Sequence, residues 1–162
     1  MGIFSWLLGK TSSTRRPAPG RYGKARHGVP GDWVQTTTMI RLAGGNHRLG
    51  NVYAFTNAVI RAERTGQEYG LTVLPEPSNA YDRNAIAVYG VALGEKWHIG
   101  YLDADTAKEI SRDLVSKSIP IAAELYEIWI GTDGGIDVKL IVLAPPGNGM
   151  KARLRSRTKP PS

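Results

Sequence analysis

The sequence predicts a mostly β, α+β fold, a small barrel of about six short strands with two helices set into it. Three observations carry this. Short runs rich in Val, Ile, Thr and aromatic residues alternate with Gly, Pro and Asn turn signals. Two stretches place apolar residues at helical spacing. The order of elements lacks the regular strand–helix alternation of a parallel sheet. At 162 residues the chain has room for one domain of ordinary size.

The elements follow in order. Val34 to Ala43 is rich in Thr and β-branched residues and reads as a strand, broken by Gly44-Gly45-Asn46. Asn51 is placed to cap a helix whose apolar positions are Val52, Phe55, Val59 and Ala62, with Gly66 as its stop. Tyr69 to Leu74 is a strand, and Pro75, Pro77, Ser78 and Asn79 force a turn after it. Ala85–Tyr89 and Trp97–Leu102 are short strands. Asp103 caps a second helix bearing Ala107, Ile110, Leu114 and Val115 on one face. Ile119 to Ile130 is a long strand with imperfect alternation, which predicts a bulge or burial on both faces. Thr132-Asp133-Gly134-Gly135 is a hairpin turn, and Ile136, Val138, Leu140 and Val142 alternate on the return strand. Trp97 and Trp129 are expected in the core.

Charge divides the chain. Its formal net charge is +7, which points to an anionic partner. Residues 1–31 hold six basic residues and no acid; residues 146–162 hold five and no acid; residues 32–145 carry a net of −4. Both ends are rich in Ser, Thr, Pro, Gly and Arg and read as flexible basic tails around a domain at 32–145. Ile3, Phe4, Trp6 and Leu7 give the first tail an apolar tip able to touch a membrane surface or a partner. Cysteine is absent, which excludes disulfides, Cys-ligated metals and thiol nucleophiles. The three histidines, His27, His47 and His98, lack metal-ligand spacing, so no cofactor or metal is expected. No apolar run is long enough to span a bilayer, and a cytoplasmic protein is expected.

Glu76, Pro77, Asn79, Tyr81, Asp82, Asn84, Ala85, Ile86 and Val88 fall in order, followed by Ile99-Gly100-Tyr101-Leu102 and a helix. This pattern resembles the HIRAN domain family, and the resemblance extends over about 38–144. It implies a barrel related to the OB fold. It also implies DNA binding, in the best understood form at the 3′-hydroxyl end of a single strand, in DNA repair or replication-fork processing. HIRAN domains are often fused to Swi/Snf-type helicases or nucleases; here the chain is expected to be a stand-alone bacterial or phage-type module working with such an enzyme in trans.

The residues suit that chemistry. Tyr81 offers a flat face for a terminal base. Ionised Asp82 is acceptor-only, so it takes a hydrogen bond from a 3′-hydroxyl and repels a 3′-phosphate. Asn84 locks the turn through backbone bonds. By resemblance, Tyr101 lies near the nucleic acid, and Asn46 and His47 stand on the pocket rim where the family places a basic–aromatic pair. Asn46 is neutral, and Ala104 is small where helicase members carry a basic side chain. Phosphate affinity within the domain is therefore expected to be weak. The competing reading is a metal-dependent nuclease. Asp137-x-Lys139 has the acid–lysine spacing of restriction-type nucleases, with Glu127 or Asp82 as a second carboxylate. An alternating strand also produces that spacing by default. A third reading is an adaptor that recruits a helicase or nuclease.

Overall fold

The computed structural model describes residues 13–158. The described strands form one antiparallel sheet: β1 (Gly20–Tyr22), β2 (Ala25–Arg26), β3 (Val34–Gln35), β4 (Ile40–Arg41), β5 (Tyr69–Pro75), β6 (Ile86–Ala92), β7 (Glu95–Tyr101), β8 (Ala122–Ile130) and β9 (Ile136–Ala144). Three helices accompany them, α1 (Leu49–Thr65), α2 (Ala104–Asp113) and α3 (Met150–Thr158), with a 3-10 turn at Gly45–Arg48 ahead of α1. The main path runs β3-β9-β8-β5-β6-β7, with β1 and β2 added to β8 and β4 to β9.

The sheet path is open. The segment after β4 meets β7 at an isolated bridge, where Ala43 and Tyr101 exchange backbone hydrogen bonds of 2.8 and 2.9 Å. The expected six-stranded barrel is therefore not closed by a continuous ladder. The reason is local: β4 is two residues long, and Gly44 (φ 75°) turns the chain out of the sheet into the 3-10 turn. Gly100 makes the bridge feasible, because a Cβ there would overlap the Ala43 carbonyl and the Leu42 side chain.

The core lies between the sheet and α1. Val52, Phe55, Val59 and Ala62 bury one helix face against Ile86, Val88 and Ile99. The ring of Phe55 lies over Gly90, where a Cβ would collide with it. Gly66, in the left-handed conformation, ends α1 by donating to the carbonyls of the last turn. Asp103 caps α2, its Oδ1 accepting from the Thr106 amide at 2.9 Å. The bulge expected in the long strand lies between Leu125 and Glu127.

Several expectations change. The predicted strand at 34–43 is two short pieces, β3 and β4, both paired to β9 and separated by Thr36–Met39. Asn51 sits inside the first turn of α1, and its Nδ2 donates to the His98 carbonyl at 2.9 Å instead of capping. Trp97 is half-buried against Phe55, whereas Trp129 is exposed. Segments read as tails contain ordered elements. β1 and β2 complete the edge of β8, with Arg21 on Glu127 (2.6 Å) and Arg26 on Glu124 (2.5 Å). α3 is anchored by Arg153, which is buried. In both places the basic residues that made the composition look tail-like are paired with carboxylates far away in sequence. The apolar tip at Ile3, Phe4, Trp6 and Leu7 lies outside the described residues.

Candidate functional site

The loop between β5 and β6 is built by its own polar side chains. Asn79 Oδ1 accepts from the amides of Tyr81 (2.9 Å) and Asp82 (3.1 Å), and Asn79 Nδ2 donates to Glu76 Oε1 (3.0 Å). Asp82 Oδ1 accepts from the Asn84 amide at 2.8 Å. The Asn84 carbonyl accepts from Ser111 Oγ of α2 at 3.2 Å, which ties the loop to that helix. With Asn79 and Asp82 spent on the turn, the Tyr81 ring is pushed outward and is 99% exposed. A bare tyrosine on a pinned loop has no packing role to explain it.

This loop faces the end of β7, the start of α2 and the 3-10 turn. Between them lies an open cavity of about 510 Å³ lined by Tyr81, Asp82, Tyr101, Arg48, Asn79 and Ala104, among others. Three of the sequence-predicted residues, Tyr81, Asp82 and Tyr101, therefore come together. Asn84 acts from behind, through its backbone. Asn46 and His47 are exposed and open onto a separate recess of about 160 Å³ beside Ile136 and Asp137. They do not line the main cavity, because the 3-10 turn points successive side chains in different directions.

The residue that the sequence reading missed is Arg48. It lines the cavity, and its guanidinium lies 5.8 Å from the Tyr101 ring centroid. It supplies the cation that neutral Asn46 and small Ala104 lack. Its signal was a lone Arg directly after Asn46-His47 and before a helix.

Behind Tyr101 stands a column of rings. His98 stacks on Tyr89 (4.8 Å, 25°) and meets Tyr101 edge-on (4.9 Å, 72°). Residues 98 and 101 share a face because the β6–β7 register shifts between Val88 and Tyr89, opposite these positions. His98 Nε2 lies 3.0 Å from the Gly100 carbonyl, and a carbonyl only accepts, so Nε2 carries the proton. Burial first, and then Arg48, lower the His98 pKa. Burial first, and then Glu76, raise that of Tyr101. Near neutrality the His98 and Tyr101 rings of this column are thus uncharged.

The nuclease constellation also assembles. Lys139 Nζ lies 3.5 Å from Glu127 and 3.9 Å from Asp137, beside Trp129. Arg21 binds the same Glu127, and Arg41 lies 3.6 Å from Asp137. The bond from Arg21 is the largest cause of the lowered Glu127 pKa. Two carboxylates already facing three cations make a poor seat for a divalent ion. Asp82 belongs to the other cavity. Among the described residues no group of three or more His, Asp or Glu side chains is placed to hold a metal.

The fold and this cavity define a β-rich module with an open pocket pairing aromatic faces with one carboxylate and one arginine. The HIRAN domain family model matches residues 50–128, and the chain carries a HIRAN domain. HIRAN domains are DNA-binding modules. Among solved structures, one described as the HIRAN domain of human HLTF aligns with 83% of this chain and 99% of its own length, at 14% identity and a TM-score of 0.45. No curated protein matches in sequence. Among the described residues no helix is long and apolar enough to cross a membrane.

Proposed function

We propose that this protein binds DNA at single-stranded 3′-hydroxyl ends, without catalysing a reaction, in the service of repair or replication-fork enzymes acting in trans. The observation that carries the reading is the cavity where exposed Tyr81, Asp82, Tyr101 and Arg48 converge. A terminal base stacks on Tyr81. Arg48 takes the last phosphodiester. Asp82 keeps Oδ1 on its own turn, and its second oxygen accepts from the terminal hydroxyl. A 3′-phosphate in that position meets a like charge at close range, which costs several-fold to hundred-fold in affinity.

Fluorescence anisotropy with single strands ending in 3′-hydroxyl or 3′-phosphate tests this at two salt concentrations. The hydroxyl end is expected to bind at least about tenfold tighter, since about 1.4 kcal/mol of charge repulsion suffices. Asp82→Asn should shrink that ratio towards one by strengthening binding of the phosphate end. Equal affinity of the native protein for both ends sinks end recognition.

A further inference from the structure

A second charged site lies away from the end cavity. Residues 13–18, placed in a tail by composition, lie against α1. Asn57 Nδ2 donates to the carbonyls of Ser13 (2.7 Å) and Arg15 (2.8 Å) and so fixes this strap on the helix. The Tyr22 hydroxyl donates to the Ala18 carbonyl at 2.5 Å and holds its other end. Asn57, Arg61 and Arg64 recur at i, i+4 and i+7 on one helix face. The strap and that face enclose an open groove of about 720 Å³ whose lining includes Arg15, Arg16, Arg61 and Arg64 and no carboxylate. Arg15, Arg16 and Arg64 are exposed, and none of these three forms an ion pair with an acid among the described residues. This contrasts with Arg21, Arg26, Arg112, Arg153 and Arg157, each of which has a carboxylate.

The three exposed guanidinium groups of Arg15, Arg16 and Arg64, held around one groove, repel one another unless an anion enters. Guanidinium forks match phosphate oxygens, and an open groove suits a polymer that presents several. None of the exposed large apolar side chains among the described residues borders this groove, which disfavours a lipid surface. Arg64 lies sixteen residues along from Arg48, about 24 Å at 1.5 Å per residue. We propose that the strap and α1 form a second, sequence-independent site for the phosphodiester backbone of nucleic acid, separate from the end cavity.

The test uses the full chain and a labelled duplex of about 20 base pairs with both 3′ ends phosphorylated, so that the end cavity is not engaged. With three phosphates contacted, by Arg15, Arg16 and Arg64, affinity should fall about fortyfold between roughly 50 and 200 mM salt. Arg15→Ala combined with Arg64→Ala removes two exposed contacts. It should reduce that fall to about three- to fourfold and weaken binding most at low salt. Tyr81→Ala should leave duplex binding unchanged, which separates this site from the end reading. A native circular dichroism spectrum and an unshifted melting temperature will establish that the double variant is folded. Native affinity and salt slope in the double variant overturn the proposal. So does capture by phosphatidylserine vesicles that an excess of the duplex cannot reverse.

Discussion

Arg153→Met tests how α3 is held, because it removes a charge from the interior while keeping much of the side-chain volume. Arg153 is 6% exposed; its Nη1 donates to Asp113 Oδ2 at 2.7 Å and its Nε to the Thr36 carbonyl at 3.1 Å. Breaking a buried pair from one side costs about 3–5 kcal/mol. Asp113 keeps Arg157 (2.5 Å) and Arg112 (3.0 Å), so the lower end, about 3 kcal/mol, applies here. At about 2–4 °C per kcal/mol for a chain of this size, the melting temperature should drop about 6–12 °C. The cluster also sets a pH dependence. Burial alone would raise the Asp113 pKa, but bonds from Arg157, Arg153 and Arg112 outweigh it and hold the value at about 2, against 3.8. A depressed folded pKa stabilises above the unfolded value. That contribution, roughly 2 kcal/mol, is present above about pH 4 and fades as pH falls towards 2. Melts followed by circular dichroism should show Asp113→Asn well below the native protein near pH 7, with the gap narrowing towards pH 2. An Arg153→Met melting temperature equal to the native one, or a gap that ignores pH, refutes the reasoning.

Tyr81→Ala should leave the melting temperature unchanged, because the ring is fully exposed, and should weaken single-strand binding about tenfold in anisotropy titrations. Arg48→Ala should weaken single-strand binding and reduce the salt slope by about 0.7. It should also raise the His98 pKa in an NMR titration, since Arg48 opposes the imidazolium. Gly90→Ala should destabilise by about 1–3 kcal/mol in chemical denaturation, because the new Cβ meets the Phe55 ring, with little effect on binding in the folded fraction.

How much of this was legible varies with the range of the interaction. The cap at Asp103, the stop at Gly66 and the alternation of β9 depend on neighbours a few residues away, and composition and spacing reveal them. The loop from Glu76 to Ile86 is equally local. Its Asn79 and Asp82 bonds span two or three residues, so its motif carries both the resemblance and the exposed Tyr81. Basic segments were harder. Arg21, Arg26 and Arg153 look solvated in sequence, yet their carboxylates lie 106, 98 and 40 residues away.

The sequence by itself therefore determined the mostly β class, the two inserted helices, the family resemblance and the aromatic–carboxylate pair at Tyr81 and Asp82. Tertiary structure decided which groups join them. A register shift on β7 set Tyr101 beside His98, the bridge from Ala43 to Tyr101 brought in the 3-10 turn, and that turn aimed Arg48, not Asn46, into the cavity. It also decided that part of the basic N-terminal segment is a strap on α1. Local bonds repeat in any chain bearing the same short motif, whereas the direction of a side chain across a sheet depends on pairing partners that only folding brings together.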